Sequence, residues 1–154
     1  MQSLRFPGYS FRIKSAGQRK HIFDNIRKRY VVLTPEEWVR QHLVSYLVED
    51  RKYPASLISV EMPLKYNRME RRADLVLFSK QGNPLLIAEC KAPTIKITQE
   101  ALDQAVRYNI VLKVCYLIIT NGIEHYCARF DKKSESWEFL DQIPGYDEIT
   151  LSDG

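Results

Sequence analysis

The chain has 154 residues, 45% hydrophobic and 11% aromatic, enough to bury the core of one ordinary domain. No run approaches the roughly 18 apolar residues of a membrane span, and "MQSLRFPGYS" has neither a continuous apolar stretch nor a small-residue cleavage site, so the expectation is a single soluble, cytoplasmic domain over residues 1–154. The net charge of +4 conceals an asymmetry: residues 1–30 hold eight Lys/Arg against one acid, a net of +7, whereas residues 131–154 hold two against seven, a net of −5. A basic end of this kind either attracts phosphates or forms a solvated surface.

In chain order, "YSFRIKSAGQRKHIFDNIRKRYVVLT" reads as short extended pieces around an Ala-Gly turn. "TPEEWVRQHLVSYLVED" then opens with Thr34 as N-cap, Pro35 at the first helical position and two glutamates in the first turn, which predicts a helix. "SLISVEMPLKY", "RRADLVLFS" and "PLLIAECKA" follow as three strand-like runs, the second and third joined by the turn "KQGNP". Apolar positions at helical spacing predict a second helix from about Thr98 to Lys113. "VCYLIITNG" is an apolar strand ending in a turn, and "IEHYCARFD" with "SWEFLD" forms a closing hairpin or a pair of outer strands. A helix that separates buried apolar strands implies a mixed α/β sheet covered by helices on both faces.

Cys90, Cys115 and Cys127 form no CxxC pair and lie in apolar segments, so they read as small buried hydrophobes. His21, His42 and His125 are scattered without metal-ligand spacing. Trp38 and Trp137 read as core or interface aromatics.

The chemistry concentrates in "LLIAECKAP". Buried strands exclude ionised side chains unless something compensates them, yet Glu89 and Lys91 close this run on one face. In the preceding strand Arg72, Asp74, Val76 and Phe78 share a face, and pairing through the short turn sets Asp74 opposite the end of the next strand, close to Glu89. Two such carboxylates form a hard-ligand site for Mg²⁺ or Mn²⁺, and the adjacent Lys91 orients or helps deprotonate an attacking water and stabilises developing phosphorane charge. The plainer reading is a surface Glu–Lys pair at a strand end. A rival D-x-K, Asp131 to Lys133, lies in the polar turn "FDKKSESW".

Asp74 followed by Glu89-Cys90-Lys91 resembles the PD-(D/E)xK nuclease superfamily. The order of "TPEEWVRQ", "RRADLVLF", "IAECKAP", "DQAVRYN" and "TNG", over Leu33 to Gly122, resembles the N-terminal nuclease domain of the type I restriction endonuclease motor subunit. Ala73 stands where the superfamily's pattern has Pro. The resemblance implies a restriction-endonuclease-like mixed central sheet flanked by helices, with extra N- and C-terminal strands. It implies Mg²⁺ (or Mn²⁺) held by Asp74 and Glu89, catalysis by these two with Lys91, and help from a glutamate of the first helix. Glu37 is the family match, although helical spacing does not choose between it and Glu36. Gln104 and Tyr108 match the family's Gln-xxx-Tyr motif, four residues apart on one helix face beside Arg107, and are expected to hold DNA or the lysine.

The expected activity is metal-dependent hydrolysis of DNA phosphodiester bonds, endonucleolytic in character. Arg27, Lys28 and Arg29 of the basic end are candidate phosphate contacts, and restriction-modification or helicase subunits are candidate partners. The motor subunit carries a helicase after this domain and this sequence does not, so it reads as a stand-alone relative or an excised piece. The alternative is a catalytically silent nucleic-acid-binding or assembly module of the same fold.

Overall fold

The computed structural model describes residues 2–66 and 69–152, with the side chains of residues 64–66, 69–71, 108, 110–112 and 151–152 outside that description. The basic N-terminal stretch forms a three-stranded antiparallel sheet of β1 (Ile13–Ala16), β2 (Arg19–Asp24) and β3 (Arg29–Val32). The Ala-Gly turn falls between β1 and β2, where Gly17 adopts φ +67°, a conformation costly for residues with a Cβ. Helix α1 (Pro35–Ser45) starts as its sequence requires, with the Glu37 backbone N–H donating to Thr34 Oγ1 at 3.0 Å. A single π-helical turn, Tyr46–Asp50, and a short 3₁₀ turn, Ala55–Leu57, connect it to the strands.

The central sheet has six strands in sequential order: β4 (Ile58–Tyr66), β5 (Met69–Phe78), β6 (Pro84–Cys90), β7 (Tyr116–Thr120), β8 (His125–Asp131) and β9 (Ser136–Leu140). All neighbours pair antiparallel except β6 and β7, which are parallel because α2 (Gln99–Leu112) makes the crossover between them. "IEHYCARFD" and "SWEFLD" are the outer hairpin, β8 with β9. A short α3 (Tyr146–Ser152), which the sequence reading had not anticipated, closes the described chain. Among the described residues no helix is long and apolar enough to cross a membrane.

Strand alternation divides the core. Leu75, Leu77, Leu86, Ala88, Cys90 and Ile118 meet Val39, Leu43, Val44 and Leu47 of α1, together with Ile149 of α3. On the opposite face Leu117 and Ile119 meet Leu102 and Ala105 of α2. Helices therefore cover both faces, and each fully buried Leu or Val of α1 contributes about 1.5–3 kcal/mol relative to exposure. Cys90 and Cys127 are buried within this core, and burial pushes both thiols up, Cys127 to about 12, which leaves them inert at neutral pH.

Candidate active site

The last recorded pair of β5 with β6 is Leu75–Ala88, so Asp74 and Glu89 are the next residues of the two strands beyond it. Asp74 is held on both oxygens: Oδ2 accepts the Cys90 backbone N–H at 2.7 Å, and Oδ1 accepts Arg40 Nη2 at 2.8 Å. Lys91 lies beside the Glu89 carboxylate at 3.9 Å, and both side chains are about a quarter exposed. Its own backbone N–H donates to Thr120 O at 2.8 Å, which prolongs the β6–β7 pairing by one residue and fixes the direction of the strand end.

The turn after β7 supports this edge. Asn121 Oδ1 accepts the backbone N–H groups of Ile123 and Glu124, while its Nδ2 donates to Ile95 O in the segment that follows Lys91. Gly122 adopts φ +87°, which is strained for a residue with a Cβ, and a Cβ there would also push on Leu4 Cδ2 at 2.8 Å. The "TNG" segment is thus a brace between the N-terminal residues and the loop leaving β6.

The two glutamates of α1 have different surroundings. Glu37 is buried: Oε1 accepts both Arg27 Nη2 and Arg40 Nη1 at 2.7 Å, and Oε2 accepts Gln41 Nε2 at 3.0 Å. Glu36 is half-exposed and makes one looser contact, to Arg40 at 3.3 Å. Burial and the neighbouring Asp74 charge raise the Glu36 carboxyl pKa, against the opposing pull of Arg40 and Lys91. Glu36 thus feels the charges of Asp74 and Lys91 with its carboxylate half-exposed, whereas Glu37, the family match, is committed to Arg27, Arg40 and Gln41.

Several residues of this cluster were not singled out in the sequence. Arg40 is 4% exposed and bridges Glu37, Glu36 and Asp74. Burial alone would lower its pKa, but the bond to Asp74 and the charges of Glu37 and Asp74 raise it. Glu61 sits in β4 with φ +54°, at the point where the register passes from Val60–Leu75 to Met62–Ala73 around Asp74. That left-handed backbone is costly for a residue with a side chain, and the carboxylate reaches Arg27 at 3.3 Å and Arg40 at 3.6 Å. The signal available for Arg40 was its spacing from Glu36 and Glu37, four and three residues on, at the border of the apolar stripe.

Of the basic trio, Arg27 is only 12% exposed and is tied to Asp24, Glu37 and Glu61. Lys28 and Arg29 are exposed on the same β2–β3 turn, which the Arg27 contacts fasten against α1 and β4. Gln104 and Arg107 are exposed on α2, and the side chain of Tyr108 lies outside the described residues. Between α2 and the carboxylates is a cavity of about 20 Å³, room for one water, lined by Asp74, Glu89, Ala105 and Asn109. Two larger clefts of about 420 Å³ each lie at the other end of β6, against Leu85, Cys115 and Phe130, away from this chemistry.

His42 is packed among Phe6, Tyr9, Phe11 and Trp38, and its burial lowers its pKa. His125 donates from Nε2 to Arg5 O and bonds Thr120 through Nδ1. Both are structural. Among the described residues no three or more His, Cys, Asp or Glu side chains converge to hold an ion by themselves. The donor set of Asp74 and Glu89, with Glu36 nearby, consists of hard oxygens, which fits Mg²⁺: that ion keeps several waters and substrate oxygens rather than demanding an all-protein cage.

Residues 35–144 match the family described as type I restriction enzyme R protein N terminus (HSDR_N). A fragment structure described as an HsdR subunit of a type I restriction enzyme from Vibrio vulnificus YJ016 superposes with a TM-score of 0.56 at 20% identity, over 77% of this chain and 25% of that one. The chain therefore spans about a quarter of that solved chain and shares its mixed-sheet fold. A search of curated proteins found no match.

Proposed function

Because the chain belongs to the family of the type I restriction enzyme R protein N terminus, we propose that this domain is a nuclease that hydrolyses DNA phosphodiester bonds with Mg²⁺ or Mn²⁺. The observation that carries the reading is the meeting of Asp74, Glu89 and Lys91 at one strand edge, under the N-terminal turn of α1 that bears Glu36. Asp74 and Glu89 would hold the metal, and Glu36, rather than Glu37, is the helix acid that assists them. The ion would supply Lewis-acid polarisation of the phosphate and an acidified water. Lys91 positions the attacking water and offers its ammonium to a non-bridging phosphate oxygen, whose charge grows as the water oxygen bonds to phosphorus and the ester oxygen departs. Lys28 and Arg29 on the neighbouring turn are assigned to backbone phosphates, and Gln104, Arg107 and Tyr108 of α2 to DNA on the other side of the strand edge.

Plasmid nicking with Mg²⁺ or Mn²⁺, with EDTA and Asp74→Ala as controls, tests this. Metal-dependent nicking lost in Asp74→Ala is the expected result. DNA binding by a wild type that nicks with neither metal would favour the silent module, for which one observation speaks: Arg40 already neutralises Asp74. As family partners, restriction-modification or helicase subunits would be recruited by surfaces outside this charge cluster.

A further inference from the structure

Five side chains of alternating sign run from the N-terminal sheet to the proposed metal site. Asp24 accepts Arg27 Nε at 2.5 Å, Arg27 meets Glu37 at 2.7 Å, Glu37 meets Arg40 at 2.7 Å, and Arg40 meets Asp74 at 2.8 Å. Three of the five, Asp24, Glu37 and Arg40, are at most 5% exposed. Each interior member is gripped from both sides, so Arg40 cannot swing away without taking the guanidinium from both Glu37 and Asp74.

Resting on the reading of Asp74 as a metal ligand, we propose that Arg40 is a built-in counter-ion of the site, a positioning residue that holds Asp74 in place and sets how strongly the divalent ion binds. Its Nη2 takes one lone pair of Oδ1 while the Cys90 N–H takes one of Oδ2, so the carboxylate is fixed in rotation with further lone pairs still available to a metal. The guanidinium cannot lose its proton and stays within ion-pair distance of Asp74, so its charge opposes any cation that approaches the same carboxylate. Arg40 thereby keeps Asp74 oriented before metal arrives, at the expense of metal affinity. The anchor of the relay is the β2–β3 turn through Asp24 and Arg27, the same turn that exposes Lys28 and Arg29. Chain segments that contact DNA and the carboxylate that would contact the metal are therefore joined by one continuous set of ion pairs.

The test is Mn²⁺ titration by calorimetry on the metal-free protein, beside nicking assays over a metal series. Arg40→Gln is expected to bind Mn²⁺ at least tenfold more tightly while nicking at saturating metal falls, a split that a purely structural residue would not produce. Because Arg40→Gln leaves the buried Glu37 carboxylate with one cation fewer, the double variant Arg40→Gln/Glu37→Gln replaces the buried pair with neutral amides and should show the same tightening. Arg27→Gln, one step farther from Asp74, should change Mn²⁺ affinity less than threefold. Wild-type binding that vanishes in Asp74→Asn but is unchanged in both Arg40 variants would overturn the role of Arg40 and leave the metal site standing. Equal tightening in Arg27→Gln would overturn it as well, by showing a general field rather than a specific counter-ion. No Mn²⁺ binding by any variant would remove the metal reading and this one together.

Discussion

The charge cluster at the start of α1 has a closed side and an open side. On the closed side Asp24, Arg27, Glu37, Arg40 and Gln41 bond mainly one another, and Glu37 alone accepts from three side chains. On the open side Glu36 is half-exposed with one long contact, and Glu89 and Lys91 stand 3.9 Å apart with a quarter of each side chain in solvent. Asp74 belongs to both, bonded to Arg40 and to the β6 backbone yet bordering a one-water cavity. A charge saturated by buried partners cannot itself take a ligand and acts on the open side only through the groups it holds. One with solvent access can take a metal, a water or a phosphate.

The largest separation between the two sides is expected in stability. Glu37→Ala removes an acceptor shared by two buried arginines and should cost about 3–5 kcal/mol, whereas Glu36→Ala should lie within about 0.5 kcal/mol of wild type. Urea denaturation of the pair measures this, and equal costs would erase the division. Activity should divide the other way. Lys91→Ala is expected to lower the nicking rate by about 10²–10⁴-fold with an unchanged melting temperature, because no core cavity forms. Nicking that survives in a folded Lys91→Ala protein would take the lysine out of the chemistry.

A smaller effect lies in the pH dependence. Burial would raise the Asp24 carboxyl, but the Arg27 backbone N–H and guanidinium, with the Ile26 N–H, outweigh it and hold the pKa below its usual 3.8. Its stabilisation is therefore present above that value and lost as pH falls through the lower folded one. Glu36 has the opposite sign: burial and Asp74 raise it above 4.5, so its contribution is fully present below 4.5 and lost as pH rises through the folded value. Denaturation midpoints followed from about pH 3 to about pH 6 should flatten at the acid end in Asp24→Asn and at the upper end in Glu36→Gln. Changes of the same sign in both variants would contradict the two environments.

The smallest expected effect is electrostatic steering by the exposed turn. Lys28→Ala and Arg29→Ala should each reduce the slope of log DNA affinity against log salt by about 0.9. A wild-type slope in the double variant would make the turn a solvated face only, and DNA contact would then have to come from α2.

Much of the frame was legible in the sequence because its signals are local. Thr34 and Pro35 start α1 through bonds within one turn, and the "KQGNP" turn joins two apolar runs so that Asp74 must arrive near Glu89. Other features were not legible. Helix α3 has seven residues, and its apolar Ile149 gains meaning only against the core it completes. Arg27 looked like one third of a basic run, yet its partners include Glu37, ten residues on, and Glu61, thirty-four residues on. Arg40 meets Asp74 only because β5 brings that residue to it across thirty-four residues.

By itself, then, the sequence determined α1, α2, the central strands and their order, and the D…ExK pattern they carry, since capping, alternation and turns act over a few neighbouring residues. The tertiary structure alone decided that Glu37 is buried against Arg27, Arg40 and Gln41 while Glu36 stays half-exposed, and that Arg40 pairs with Asp74. Adjacent helix positions point about 100° apart, and which direction meets the sheet edge depends on the strands that pack beneath, a matter no local pattern encodes.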